Sequence, residues 1–203
     1  RIIAYFEKDA PSTAGGAIAL VQALTTAGAR DRAATEAQKA WVSLRFDAGE
    51  EAALLALQGA ALAKVHEARL DTLLWDDRTA EARRMLPRVS AGWRALAEAR
   101  MALRDMSGGE NARIAAVPQA LANDPGMAYD RFAWRMRKCL TDGALEMILA
   151  RSASAALLGR PEAWSRRRTA LARDLLADGR AREAYQVAAG HFLTAGGDYA
   201  ELE

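Results

Sequence analysis

No stretch of these 203 residues alternates apolar and polar positions for long enough to make a strand; apolar residues recur at helical spacing instead. That restricts the chain to amphipathic helices, and frequent Gly, Pro, Asp and Asn cut them short. The last forty-odd residues show the pattern best. Trp164, Leu171 and Leu175 fall on one face of a helix opened by Pro161 and Glu162. Gly179 supplies the left-handed residue that ends it. A second helix carries Ala181, Ala184, Tyr185, Ala188 and Phe192 on one stripe, and Gly196-Gly197-Asp198 opens a third at Tyr199, with Asp198 as its cap. The expectation is a fragment of a longer chain, cut at Glu203.

Upstream the same punctuation predicts helices over 1–8, 13–27, 49–57, 61–75 and 111–121, the last interrupted by Pro118. A helix capped by Asp31 runs to Phe46, one started by Asp77 closes at Pro87, and one begun by Ser90 runs to Met106. Residues 123–126 read as a turn, followed by helical spacing over 126–140 and 142–159. Glu50 and Glu51 fall in a first turn, where the helix dipole favours acids. These helices are joined by links of about two to five residues, short enough to force neighbours antiparallel.

Residues 73–82 match residues 175–184 at six of ten places, an offset of 102, or three periods of 34. The fold class expected is therefore all-α: a right-handed superhelix, or α-solenoid, of short antiparallel hairpins, forming a single domain over 1–203, with a closed helical bundle as the alternative. The intervening units do not keep the pattern, and chance similarity in a chain rich in Ala and Arg is the rival explanation.

Arg outnumbers Lys by 24 to 4, yet the net charge is only +2, too mild to argue for nucleic acid or an anionic membrane. No apolar run approaches the length of a membrane span. Cys139 stands alone, so no internal disulfide forms, and a lone helical cysteine is expected to be a small buried hydrophobe.

Several segments carry a resemblance: His66-x-x-Arg69-x-Asp71-x-Leu73-Leu74-Trp75, Ala82-Arg83-Arg84, Leu86-Pro87, Ala97 to Arg100 with Leu103, and Asp124-Pro125-Gly126-x-x-Tyr129-x-Arg131. Trp164-x-x-Arg167-x-x-x-Leu171-Ala172-Arg173, Gly179 with Ala184-Tyr185 and Ala188, His191, and Tyr199-x-Glu201-Leu202-Glu203 continue it. Together they resemble the N-terminal α-superhelical region of the soluble lytic murein transglycosylases, over most of the chain from Trp41 onward. Ala163 departs from the pattern, since relatives often carry a second Trp there. The resemblance implies a periplasmic enzyme that cleaves the MurNAc–GlcNAc bond of peptidoglycan through a lysozyme-like domain absent from these residues. It implies no metal and no cofactor.

The residues themselves offer no catalytic constellation. The resembled family places its acid in a Glu-Ser context, and no Glu-Ser dipeptide occurs. His66-Glu67 begins like a zincin motif, but position 70 is Leu, so no metal site is expected. Asp76-Asp77 reads as helix caps. Binding candidates are basic: Arg131, Arg135 and Lys138 at i, i+4 and i+7 with Trp134 and Arg137 alongside, and Arg166-Arg167-Arg168 with Arg173. Arg131, Trp134, Arg135, Lys138 and Arg167 are the candidate glycan- or peptide-contacting residues. The alternative is a solvated face whose Arg stems cover apolar surface. The expected role is to shape access of glycan strands to the missing catalytic domain, with a non-enzymatic scaffold for a protein partner as the second reading. A DNA-binding regulator fits worst, because acids crowd the N-terminal third and no basic recognition helix follows a tight turn.

Overall fold

The computed structural model describes residues 1–194, and among them every regular element is helical. Contacts divide the chain into two compact units, residues 1–94 and 95–203. The first contains α1 (Ile2–Phe6), α2 (Ala14–Thr26), α3 (Arg30–Ser43), α4 (Ala48–Leu62), α5 (His66–Trp75) and α6 (Thr79–Met85). The boundary falls inside α7 (Ala91–Asp105). The second unit continues with α8 (Glu110–Ala115), α9 (Pro125–Arg137), α10 (Thr141–Arg151), α11 (Ala155–Leu158), α12 (Pro161–Ala177) and α13 (Ala181–Ala189). The helix expected at Tyr199, with its Gly196-Gly197-Asp198 opening, lies outside the described residues.

One joint is used four times. Gly28, Asp77, Cys139 and Gly179 each end a helix in the left-handed region, at φ of 76°, 57°, 54° and 75°. The next residue returns an N–H to a carbonyl five positions back: Ala29 to Leu24 at 2.9 Å, Arg78 to Leu73 at 2.8 Å, Leu140 to Arg135 at 2.9 Å and Arg180 to Leu175 at 2.8 Å. That same residue is the N-cap of the following helix, with ψ between 51° and 65° in all four cases. Five residues after each left-handed position stands a buried alanine: Ala33, Ala82, Ala144 and Ala184. A methyl there lets the two helices of each pair (α2 with α3, α5 with α6, α9 with α10, α12 with α13) pack closely.

The six-of-ten sequence match therefore has a geometric cause, and two of the joints extend it. Arg78 and Arg180 each fork onto the glutamate three residues on, Glu81 and Glu183, the latter at 2.6 and 2.9 Å. The four left-handed positions are 49, 62 and 40 residues apart, so the joint recurs without a constant period of 34.

Several boundaries differ from the sequence expectation. Asp31 sits in the first turn of α3 while Ala29 is its N-cap, and α3 stops at Ser43, short of Phe46. Asp77 is the left-handed residue rather than a helix start. The predicted turn at 123–126 is the opening of α9, where the Asp124 side chain accepts the Met127 N–H at 2.7 Å and Pro125 takes the first position. Helix α4 runs to Leu62, past Leu57, through a kink at Gln58. On α13 the buried side is Ala184 and Val187, with His191 beyond the helix; Tyr185 and Phe192 face outward. The expected stripe misjudged the rotation, because Val187 rather than the larger aromatics meets the core.

Buried arginines seal helix ends in each unit. In the first, Arg69 is fully buried over the rings of Trp41 and Phe46, with its guanidinium carbon 4.2 and 5.1 Å from their centroids. It donates to the Trp41 and Leu44 carbonyls at the end of α3 and, at 2.8 Å, to Glu51. Glu51 also takes two bonds from Arg84, at 2.7 and 3.0 Å. Burial opposes its ionisation, yet the bonds from Arg84 and Arg69 prevail and hold its carboxyl below the ordinary 4.5. A dipole role was expected for this acid; it is instead the hub of a buried ion network.

In the second unit, Arg100 donates to Asp130 at 2.8 Å and Arg104 forks onto the same carboxylate at 2.7 and 3.1 Å. Gly126 makes room for this pairing: a Cβ on it would lie 2.2 Å from the Arg100 guanidinium carbon. Arg168 is buried without a carboxylate among the described residues, donating to the Val187 carbonyl and, at 2.8 Å, to the Ser152 hydroxyl; burial draws its pKa down to about 10. Around it lies a core of Phe132, Ile148, Leu158, Trp164, Leu171, Leu175 and Val187, with Trp164 stacked on Phe132.

Two outcomes follow from these contacts. Gly126→Ala, which in an open helix would add about 1 kcal/mol of stability, should here cost about 2–4 kcal/mol in chemical denaturation, because the guanidinium has nowhere to move. His66 is buried with Nδ1 accepting the Trp41 indole N–H at 3.2 Å. Burial, then the charges of Arg88 and Arg69, hold its pKa below the ordinary 6.5. Its contribution is therefore complete above pH 6.5 and declines as pH falls, since the unfolded chain takes the proton first. Thermal unfolding should show a melting temperature lower at about pH 5.5 than at about pH 7.5, with this difference reduced in His66→Asn, which keeps an acceptor but does not titrate.

Candidate functional site

Helix α9 buries Met127, Ala128, Asp130, Phe132 and Ala133. Turned away from that side are Arg131, Trp134, Arg135 and, just past the helix end, Lys138. The left-handed joint at Cys139 brings α10 back against α9, with Ala144, Leu145 and Ile148 inward. Arg135 lies across Gly143, 3.2 Å from where a Cβ would stand, and its Nη1 is 3.2 Å from the Met147 sulfur. A cleft of about 230 Å³ opens there, lined by Arg135, Gly143, Glu146, Met147, Ala150 and Arg151.

Arg151, on the last turn of α10, is the member that the sequence reading did not place in this group. Its Nη1 donates to the Asn123 carbonyl at 3.0 Å. Arg131 stands one turn before Arg135 on α9. Burial, and then the charges of Arg135 and Arg151, hold the Arg131 guanidinium below the usual arginine value. Among the described residues neither Arg131 nor Arg135 pairs with a carboxylate. Finding Arg151 from sequence would have required knowing which face of α10 meets α9, and that depends on the joint.

The five expected residues thus fall into separate groups. Arg131 and Arg135 share the cleft side. Trp134 and Lys138 sit beside them, with the Lys138 ammonium 5.9 Å from the Trp134 ring. Arg167 is elsewhere: it donates to the Tyr129 hydroxyl at 2.5 Å, and Tyr129 lies some 200° round α9 from Arg131. The run Arg166-Arg167-Arg168 is not a surface cluster, because successive helical residues point in different directions. Arg166 is exposed, Arg167 is tied to Tyr129, and Arg168 is in the core.

On the far side of Arg135 a larger hollow of about 560 Å³ is lined by Cys139, Leu140, Asp142, Asp178 and Arg180. Its charges are internally matched, since Arg180 bonds Asp142 at 2.8 Å as well as Glu183. Among the described residues no group of three His, Cys, Asp or Glu is arranged to hold a metal ion. His191 is buried, with Nδ1 accepting the Leu193 N–H at 2.8 Å. The cleft side therefore offers cations and an apolar floor, with the Glu146 carboxylate in its lining.

Comparison with protein-family models, with curated proteins and with solved structures gives no match for this chain.

Cys139 is exposed, contrary to the buried position expected for a lone helical cysteine, because the left-handed corner it occupies turns its side chain to solvent. A disulfide exchange reagent should therefore modify one thiol per folded chain without denaturant, at a rate close to that of the unfolded chain. Protection in the native state would contradict this placement.

Proposed function

We propose that this chain is the helical, non-catalytic part of a periplasmic lytic transglycosylase. Its hairpins would stack into a right-handed superhelix that shapes the access of murein glycan strands to a catalytic domain outside these 203 residues. The observation that carries the proposal is the fourfold joint, with its left-handed corner, shared capping residue and buried alanine, for a superhelix is built by repeating one hairpin geometry. The segments that resemble the transglycosylases fall on buried positions, ion pairs and helix starts within the two units. His66, Arg69, Leu73 and Leu74 are buried in α5, Ala82 closes a joint, Arg84 binds Glu51, and Asp124-Pro125-Gly126 starts α9 over Arg100.

Such a region guides substrate without cleaving it. Purified 1–203 should release no anhydro-muropeptides from isolated murein sacculi, and should sediment with them at low salt but not at high salt, as binding through exposed guanidiniums requires. Release of anhydro products would place catalysis within these residues, and absence of sedimentation at any salt would remove direct wall contact from the proposal.

A second reading, a scaffold for a protein partner, is favoured by the outward-facing Leu176, Tyr185 and Phe192. Retention of the chain by a defined peptide together with failure to bind sacculi would select it.

A further inference from the structure

The Arg131–Arg135–Arg151 group brings three positive charges to one side of α9 and α10, against the single carboxylate of Glu146 in the cleft. Arg135 and Arg151 line the cleft from two helices joined by one corner, Arg131 stands one turn before Arg135, and the fixed contacts of the group are a thioether and a backbone carbonyl. Other neighbouring arginines share a carboxylate, Arg69 and Arg84 on Glu51 and Arg100 and Arg104 on Asp130, and Arg180 has Glu183 and Asp142, whereas Arg168 rests on a carbonyl and a hydroxyl. The cleft has one acid on its rim, Glu146, which makes no ion pair with any described arginine. Its apolar lining, Met147 and Ala150, suits a short aliphatic or peptide backbone better than a bare inorganic ion.

We infer that the α9–α10 cleft is a binding site for the carboxylate end of a peptide-like ligand, held by Arg131, Arg135 and Arg151. The carboxylate accepts forked N–H bonds from the guanidiniums, and the aliphatic part lies over Met147 and Ala150. Glu146 stands at the rim, where it disfavours a second anion and accepts an amine. Gly143 lets Arg135 lie close over α10, since a Cβ there would stand 3.2 Å from its Nε and press the side chain outward slightly. Under the function proposed above, the peptide stems of murein would supply the carboxylates; only the source of the ligand rests on that reading.

The test is a nuclear magnetic resonance titration of labelled 1–203 with acetyl-Glu-Ala, a short peptide bearing two carboxylates, and separately with inorganic phosphate at matched ionic strength. Saturable shifts are expected at Gly143, Met147 and Ala150 with the peptide. Arg131→Gln and Arg151→Gln should each weaken binding about fivefold or more, and Glu146→Gln should tighten it, because one loses an attraction and the other a repulsion. Arg131→Gln should keep the melting temperature of the parent or raise it, as removal of a mutually repelling cation requires; Glu146 is exposed, so its variant serves even if an arginine variant misfolds. No saturation at tens of millimolar, or equal binding by both arginine variants and the parent, overturns the site. Tighter binding of phosphate than of peptide overturns the carboxylate assignment. Peptide binding together with failure of the parent chain to sediment with sacculi leaves the site standing and removes murein as its ligand.

Discussion

The corner at which one helix ends and the next begins is the constraint on which the other features depend. A left-handed residue returns the chain on itself, the following residue closes the old helix with its N–H and opens the new one with its carbonyl, and the alanine five places on sets how near the two helices come. Nothing in this arrangement asks for a long apolar surface. It explains how a chain with alanine as roughly a quarter of its residues can pack tightly: small side chains at the crossing points substitute proximity for bulk. The cleft beside Arg135 is a by-product of the third of these corners, with Cys139 at the bend and Gly143 in the first turn beyond it.

The second organising element is arginine used against helix ends. Arg69 serves the end of α3, Arg137 donates to the Leu103 carbonyl of α7, and Arg168 donates to Val187 near the end of α13. Helix C-termini leave carbonyls unpaired, and a planar fork reaches two acceptors at once where an ammonium offers a point charge. The excess of Arg over Lys, for which genome composition is the ordinary explanation, thus has a structural side in this chain. Where such an arginine also meets a carboxylate in the interior, removing one partner leaves a buried charge uncompensated, a loss of about 3–5 kcal/mol.

The helical class was legible because apolar spacing and Gly/Pro punctuation are local signals, and Trp164, Leu171 and Leu175 are buried together as their spacing implies. The 73–82 and 175–184 match was also legible, but as a string; its meaning as a corner required the backbone, since Cys139 fills the same left-handed position with no glycine to advertise it. Misplaced features share one cause. Glu51, Arg168 and Arg151 owe their roles to residues brought in from other helices, so a rule about first-turn acids or charged runs assigns them to solvent. The expectation for Arg131 and Arg135 was nearer, because α9 carries both on one side, whereas Arg167 could be separated from them only once Tyr129 was seen to hold it.

Arg168 behaves differently from the other interior cations. Its acceptors are a peptide carbonyl and a hydroxyl, neither of which takes up a proton in the range where proteins fold. The network centred on Glu51 is an electrical lock that acid can open, whereas among the described residues this one is held by dipoles. The hairpin of α12 and α13, with the loop after α10 that Ser152 contributes, therefore carries one clasp that needs no carboxylate, beside the Arg180–Glu183 pair at its corner that does.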